Sequence, residues 1–385
     1  MSGNGYFSDE DVFNDESGDE SENMTDGEAH QSGGKMIGDG VYGCVFMPQL
    51  TCKPNTTTTV DAIDGAMKGR RVSKLIDTAS ASIEFRLSKS ISQIPLWRNY
   101  FVISESMCTP ATRQSEPDLR KCTTLTHEPI SSFKLLSMPY RGDSLHLHRF
   151  NTNTFDFMQF AKHMIEAGAL MNLFNIVHRD LHQGNVLVDA QHVPRIIDFN
   201  LSFHAKQQVT ASALSHQFEP LIAHEPPDSA LVNAIYQQDL YKRDYDRAIQ
   251  AIMDKKMVLK RIRILFGLST EGMRQELEDF YHMSKSAKTG DTAGWFRMYW
   301  SKIDSWAIGV ILVDMIAHFL VMGGFAAKYE PIRGLLEPVL RDMCQINPIH
   351  RIDCVQALYR IDPNHFIIRK YGTRWLEALP TPDRK

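Results

Sequence analysis

The chain has 385 residues, of which 43% are hydrophobic, and a formal net charge of -4. That is apolar material for one large or two modest domains, and the near-balanced charge gives no whole-chain case for nucleic-acid binding. Six cysteines (44, 52, 108, 122, 344 and 354) without a CxxC pair read as free thiols of a reducing compartment, not as a disulfide framework or a zinc site. The N-terminus has neither a basic n-region nor an apolar h-region, so no signal peptide is expected. The most apolar stretch, Trp306 to Ala327, is interrupted by Asp314 and His318. It reads as a buried core helix, and no membrane span is expected.

Residues 1–34 are acidic, rich in Ser, Gly and Asn, and contain no Lys or Arg. Such a segment buries too little apolar surface to offset its ordering entropy and is expected to be a disordered tail. Ser8, Ser17 and Ser21 precede acidic residues, a setting for phosphorylation by an acidophilic kinase; a merely solubilising tail accounts for the same composition. From Lys35 the sequence predicts strand, glycine turn and strand through Phe46, then a polar, Thr-rich loop from Pro48 to Gly65. Arg71 to Ile76 reads as a strand. Ala79 to Ile91 reads as a helix with Ile83, Leu87 and Ile91 on one face. Tyr100 to Ser104 reads as a short strand, Cys108 to His127 as an irregular loop, and Phe133 to Met138 as an apolar strand. Beyond Asn151 the pattern is mainly helical.

Three motifs carry chemistry. Gly38-x-Gly40-x-x-Gly43-x-Val45 lets backbone N–H groups approach phosphate oxygens. A dinucleotide-binding turn would open a helix, which the proline-containing run after Phe46 does not favour, so a flap over ATP fits better. Val45 would then pack on the adenine and Tyr42 would sit at the flap tip. His178-Arg179-Asp180-Leu-His182-Gln-Gly-Asn185 supplies a carboxylate to orient and deprotonate an acceptor hydroxyl and, five positions later, an amide oxygen for magnesium. Arg195-Ile-Ile-Asp198-Phe199-Asn200 places a second metal-binding carboxylate at a strand end. Asp180 as a helix cap and Asp198 as a turn residue are the structural alternatives, but both would have to arise by accident in this order.

Together these motifs resemble the eukaryotic-type protein kinases over about residues 36–365. Ile303-Asp304-Ser-Trp306-Ala-Ile-Gly309 is similar to the family's buried helix that anchors the catalytic loop. Asn347-Pro348-Ile-His-Arg351 is similar to its D-P-x-x-R element. The resemblance implies that Arg351 pairs with a carboxylate ending the activation segment: Glu225 of Ala223-His-Glu225, or alternatively the acid of Pro226-Pro227-Asp228. V-S-K-L, P-x-L-x-C after the flap and H-R-D-L-H together resemble kinases of large nucleocytoplasmic DNA viruses. The phosphate lysine is assigned to Lys74, with Glu84 as its helical partner; Lys68, followed at once by a strand-weakening glycine, is the alternative. Met138 and Tyr140, at the end of the apolar run, complete the nucleotide set.

The sequence also departs from the family. His182 stands where serine/threonine kinases usually carry a lysine; it either faces the transferring phosphate or braces the loop. H-x-D-L-H-x-G-N occurs in small-molecule phosphotransferases as well. Asn200 replaces the Gly of D-F-G and is expected to serve as a left-handed residue. The stretch from about 229 to 300 exceeds what the family needs and reads as a helical insertion, either a structural cover or a docking surface.

The expectation is thus an α+β, two-lobed kinase-like fold. A β-rich N-lobe spans 35–140, a helical C-lobe 141–370 including the insertion, and a short tail 371–385. The expected activity is Mg-ATP-dependent phosphorylation of Ser/Thr on protein substrates. The expected site is Asp180, Lys74, Glu84 and His182 for catalysis, Gly38, Gly40, Tyr42, Gly43, Val45, Lys74, Met138 and Tyr140 for nucleotide, and Asn185 and Asp198 for Mg2+. The expected location is cytoplasmic, in a host cell or virion if the source is viral. A catalytically dead scaffold and a small-molecule phosphotransferase are the competing readings.

Overall fold

The computed structural model describes residues 34–378 except 41–42, 61–69, 115–118, 120, 126–127, 153 and 208. The acidic tail with its three serines, Tyr42 and Lys68 therefore lie outside the described residues.

The N-lobe is a six-stranded antiparallel sheet in the order β1-β2-β4-β6-β5-β3. Its strands are β1 (Lys35–Gly40), β2 (Gly43–Met47), β3 (Thr58–Thr59), β4 (Arg71–Asp77), β5 (Ser106–Cys108) and β6 (Phe133–Pro139). β4 lies between β2 and β6, so Val72, Leu75 and Ile76 are buried and Lys74 comes in with them. Asp77 ends β4 and at once caps helix α1 (Thr78–Ile91), accepting the Ala79 and Ser80 N–H groups. Strand and helix thus follow without a loop, which fixes the distance between Lys74 and the first turns of α1.

Two expected details differ. Leu87 and Ile91 are buried, but Ile83 is 39% exposed; Ala81, Glu84, Phe85 and Ser88 form the rest of the inward stripe. Polar Glu84 turns inward because it meets Lys74. The expected strand 100–104 is instead the end of helix α2 (Trp97–Tyr100), followed by a parallel bridge from Phe101 to Ile196. Val102 N–H donates to Ile196 O, so this segment docks on the lower lobe and does not extend the sheet there.

The free-thiol reading is corrected for four of the six cysteines. Cys44 of β2 is bonded to Cys122 and Cys52 to Cys108. The partners are 78 and 56 residues apart, a pairing made by the sheet that local spacing does not reveal. Cys344 and Cys354 are free and buried.

The C-lobe carries short strands β7 (Asp143–Ser144), β9 (Val186–Val188) and β10 (Pro194–Ile196) in one sheet, and β8 (Ile176–Val177) paired with β11 (Phe203–His204). Helix α3 (Phe157–Leu173) and the almost wholly buried α12 (Ile303–Phe319) form its centre, with α13 (Phe325–Met343), α14 (Cys354–Ile361) and α15 (Thr373–Glu377) packed around them. α4 (Ala211–Leu214) precedes the insertion. The insertion is built of α5 (Pro227–Gln237), α6 (Asp239–Arg243), α7 (Tyr245–Lys255), α8 (Val258–Phe266), α9 (Thr270–Met283), α10 (Lys285–Thr289) and α11 (Thr292–Tyr299). These helices share one apolar core with the Trp306 face of α12, including Ile249, Ile252, Leu277, Phe280 and Phe296. Among the described residues no helix is long and apolar enough to cross a membrane.

Candidate active site

The glycine motif forms the β1–β2 hairpin, with Gly40 opposite Gly43. Gly43 has φ +152°, and a Cβ there would lie 2.0 Å from the Leu75 carbonyl oxygen, so only glycine lets the hairpin lie this close to β4. Val45 stands opposite Lys74 in the β2–β4 register. Met138, opposite Val72, packs beside a small cluster that includes Ile76, Phe85 and Leu136. The backbone N–H of Tyr140 is taken by Arg70 O at 2.9 Å, and its hydroxyl donates to Asp143 at 2.7 Å.

Lys74 joins the lobes. Its Nζ lies 3.0 Å from Glu84 Oε2 and 2.7 Å from Asp198 Oδ1. Burial alone would lower its pKa; the charges and hydrogen bonds of Glu84 and Asp198 outweigh that and hold the ammonium above its ordinary value. The other Glu84 oxygen accepts from the Ser104 hydroxyl at 2.9 Å, so this 3%-exposed carboxylate is satisfied on both sides. Ser104 was not singled out in the sequence, because it ends the run Tyr100 to Ser104, which was read only as a strand.

The loop from His178 to Asn185 is held from beneath. Asp304 accepts the His178 N–H at 2.7 Å and the Arg179 N–H at 3.0 Å, which secures Arg179 in a left-handed turn at φ +69°. Phe199 packs between Phe101 and His178, with ring centroids 5.9 and 4.9 Å away. The left-handed residue of the Asp198–Asn200 turn is Asp198, at φ +63°. Asn200 does not take that conformation, contrary to expectation; it is buried, and its amide has no hydrogen-bond partner among the described residues. Asp198 tolerates the strain because a short polar side chain is among the few that do.

Asp180 is surrounded by donors. His224 Nε2 approaches its Oδ1 at 3.1 Å, and Asn185 Nδ2 donates to its backbone oxygen at 2.8 Å and to Oδ2 at 3.3 Å. Burial would raise the Asp180 pKa, but the His224 hydrogen bond and the charges of the neighbouring imidazoles hold it below the ordinary carboxylate value. His182 Nδ1 accepts the Gly184 N–H at 3.0 Å and so caps the turn Gln183–Asn185; its Nε2 is 4.0 Å from Asp180. Burial lowers the His182 pKa against the pull of Asp180. With the ring still 44% exposed, the accepted N–H bond is the stronger sign that the imidazole is neutral.

With its amide nitrogen turned to Asp180, Asn185 leaves its oxygen for another ligand. Together with Asp198 this is an oxygen-only donor set of the kind a hard divalent cation takes alongside substrate phosphates. Among the described residues there is no cluster of three or more His, Cys, Asp or Glu side chains suited to a metal, and magnesium shared with phosphates does not require one.

The carboxylate that meets Arg351 is Asp228, at 2.6 Å; the preferred Glu225 is corrected. Glu225 instead accepts from His216 Nε2 at 3.0 Å and Ser229 Oγ at 3.1 Å. Pro227 opens α5 and sets Asp228 in its first turn, where Trp295 Nε1 also donates to it at 2.9 Å. His224, which contacts Asp180, was likewise not singled out in the sequence: it lies within a string read only for its terminal glutamate.

The model of the protein tyrosine and serine/threonine kinase family matches residues 32–229, just over half of the chain. The chain belongs to the protein kinase family. The match ends where the helical insertion of this kinase begins. It is also similar to a protein kinase and PP2C-like domain-containing protein of Oryza sativa subsp. japonica, at 28% identity over 74 residues, which is 19% of this chain. The chain spans only 11% of the length of that curated relative. The family fold agrees with the observed β-sheet N-lobe and helical C-lobe.

Proposed function

We propose that this protein kinase transfers the γ-phosphate of ATP to Ser or Thr hydroxyls of protein substrates, with magnesium. The observation that carries the reading is Lys74 bridging Glu84 and Asp198, while Asn185 binds Asp180 through its amide and takes the N–H of Ile197, the neighbour of Asp198, on its backbone carbonyl. A dead scaffold has no need to keep this set together. Lys74 would hold the α- and β-phosphates under the Gly38–Gly43 hairpin. Asn185 and Asp198 would hold magnesium, which when bound offsets phosphate charge. Asp180 orients the acceptor hydroxyl and takes its proton; the hydroxyl oxygen bonds to the γ-phosphorus as the bond to the β–γ bridging oxygen breaks and ADP leaves. A groove of about 640 Å³ beside Asp180, lined by Leu214, His216, His224 and Trp295 among others, suits a peptide acceptor.

The Ser/Thr preference and the viral likeness rest on the sequence resemblance. The cytoplasmic setting had rested partly on free thiols, and the two disulfides remove that support. A radiolabelled ATP assay on generic protein acceptors, followed by phosphoamino-acid analysis, tests the reading. Label in phosphoserine or phosphothreonine is expected; label in phosphotyrosine alone, or none in protein, overturns it.

A further inference from the structure

His224 lies between two backbone carbonyls that are both held by one buried cation. Lys256, at the end of α7 in the insertion, is 1% exposed. Its ammonium donates to Ile222 O and, at 3.0 Å, to Glu225 O. The carbonyl between them, Ala223 O, accepts from Trp306 Nε1 at 3.0 Å. Three of the four carbonyls of residues 222–225 are thus fixed from below, by the insertion and by the central helix α12. From this seat the His224 ring projects to Asp180 Oδ1 at 3.1 Å and lies 5.4 Å, centroid to centroid, from the His182 ring. A buried lysine spent on backbone carbonyls loses much hydration, and here what it secures is the geometry of one segment.

We propose that His224 is a positioning residue for Asp180, and that the insertion keeps it in place through Lys256. The Nε2–H of His224 fixes the rotamer of the carboxylate, so that its other oxygen is presented to the acceptor hydroxyl. The insertion is then a working part of the active site. This inference rests on the reading of Asp180 as the base.

The test compares His224→Ala, His224→Gln, Lys256→Met and the double variant His224→Ala/Lys256→Met. His224→Ala lowers kcat by about 10- to 100-fold, since a misplaced catalytic group costs about that much, while KM for ATP stays within about twofold. His224→Gln, whose amide N–H can still donate, recovers most of the loss. Lys256→Met lowers kcat similarly, and the double variant falls no further than the worse single one, because both act through one contact. Additive losses, or a His224→Ala enzyme with wild-type kcat, overturn the proposal. Should Lys256→Met fail to fold, amine labelling of the wild-type protein decides its part: Lys256 stays unmodified while surface lysines react, and labelling at the surface rate refutes the clamp. Ring 15N NMR separates this proposal from the kinase reading, since Asp180→Asn shifts the His224 signals if the contact exists, whether or not the protein phosphorylates anything. Unmoved signals refute the contact.

Discussion

Lys74 is the side chain on which most of the site converges. Replacing it with Met removes the cation between Glu84 and Asp198 and leaves two carboxylates facing one another with Glu84 buried. We expect kcat to fall by about 100-fold or more and folding stability to drop by about 3 kcal/mol, read from steady-state kinetics and denaturant unfolding. His182 leads to a different kind of test. Its neutral Nδ1 accepts the Gly184 N–H, and its folded-state pKa lies below 6.5. A depressed histidine pKa contributes stability that is complete above 6.5 and lost as pH falls through the folded value. Activity should therefore decline on the acid side as the ring protonates and gives up that bond. His182→Asn, which can accept the same N–H through its Oδ1, should hold its activity further into acid than the wild type, and matched pH–rate profiles check this. At this scale the sequence singled out Asp180, Asn185 and Asp198 by short ordered motifs and Lys74 with Glu84 by their strand and helix, and the structure brings Lys74 to Glu84 and Asp198. Ser104 and His224 were hidden because each reaches a partner distant in sequence and belongs to no motif.

Among the elements, the end of the activation segment shows how a string match and a fold diverge. Ala223-His-Glu225 looks nearer to the family tripeptide, yet Pro226 and Pro227 start α5 there and give its first-turn acid, Asp228, to Arg351. Both members of that pair are essentially excluded from solvent. Removing one partner, as in Arg351→Met or Asp228→Ala, strands the other and should cost about 3–5 kcal/mol in denaturant unfolding. Glu225→Gln keeps an acceptor for Ser229 and should cost clearly less. The reverse ranking would return the role to Glu225. The strand–cap–helix join at Asp77 was legible in outline, since strand and helix were both expected. The inward face of α1 was only half legible: Glu84 was paired with Lys74 from the sequence, but apolar periodicity placed Ile83 inward where Ala81, Phe85 and Ser88 are buried instead.

Over the whole molecule, the two-lobed α+β architecture and a helical stretch before α12 could be read from period and motif order. The two covalent cross-links of the N-lobe could not, since cysteine spacing shows only local pairs and these are made by the sheet. Unreduced denatured protein should therefore titrate two thiols, those of Cys344 and Cys354, and reduced protein six. Six before reduction would restore the free-thiol reading. The insertion shares its core with α12, which bears the Asp304 that holds the backbone of His178 and Arg179, so the insertion and the loop carrying Asp180 are tied into one packed unit.

The central claim is that Asp180 serves the acceptor and not the nucleotide. It is tested most directly by measuring, on one preparation of Asp180→Asn, both phosphoryl transfer to protein and Mg-ATP affinity. The account predicts that transfer falls by about 100-fold or more while the dissociation constant for Mg-ATP stays within about threefold of wild type, because Lys74, Asp198 and the glycine hairpin are untouched. Loss of ATP binding in proportion to activity, or transfer that survives the substitution, would contradict it.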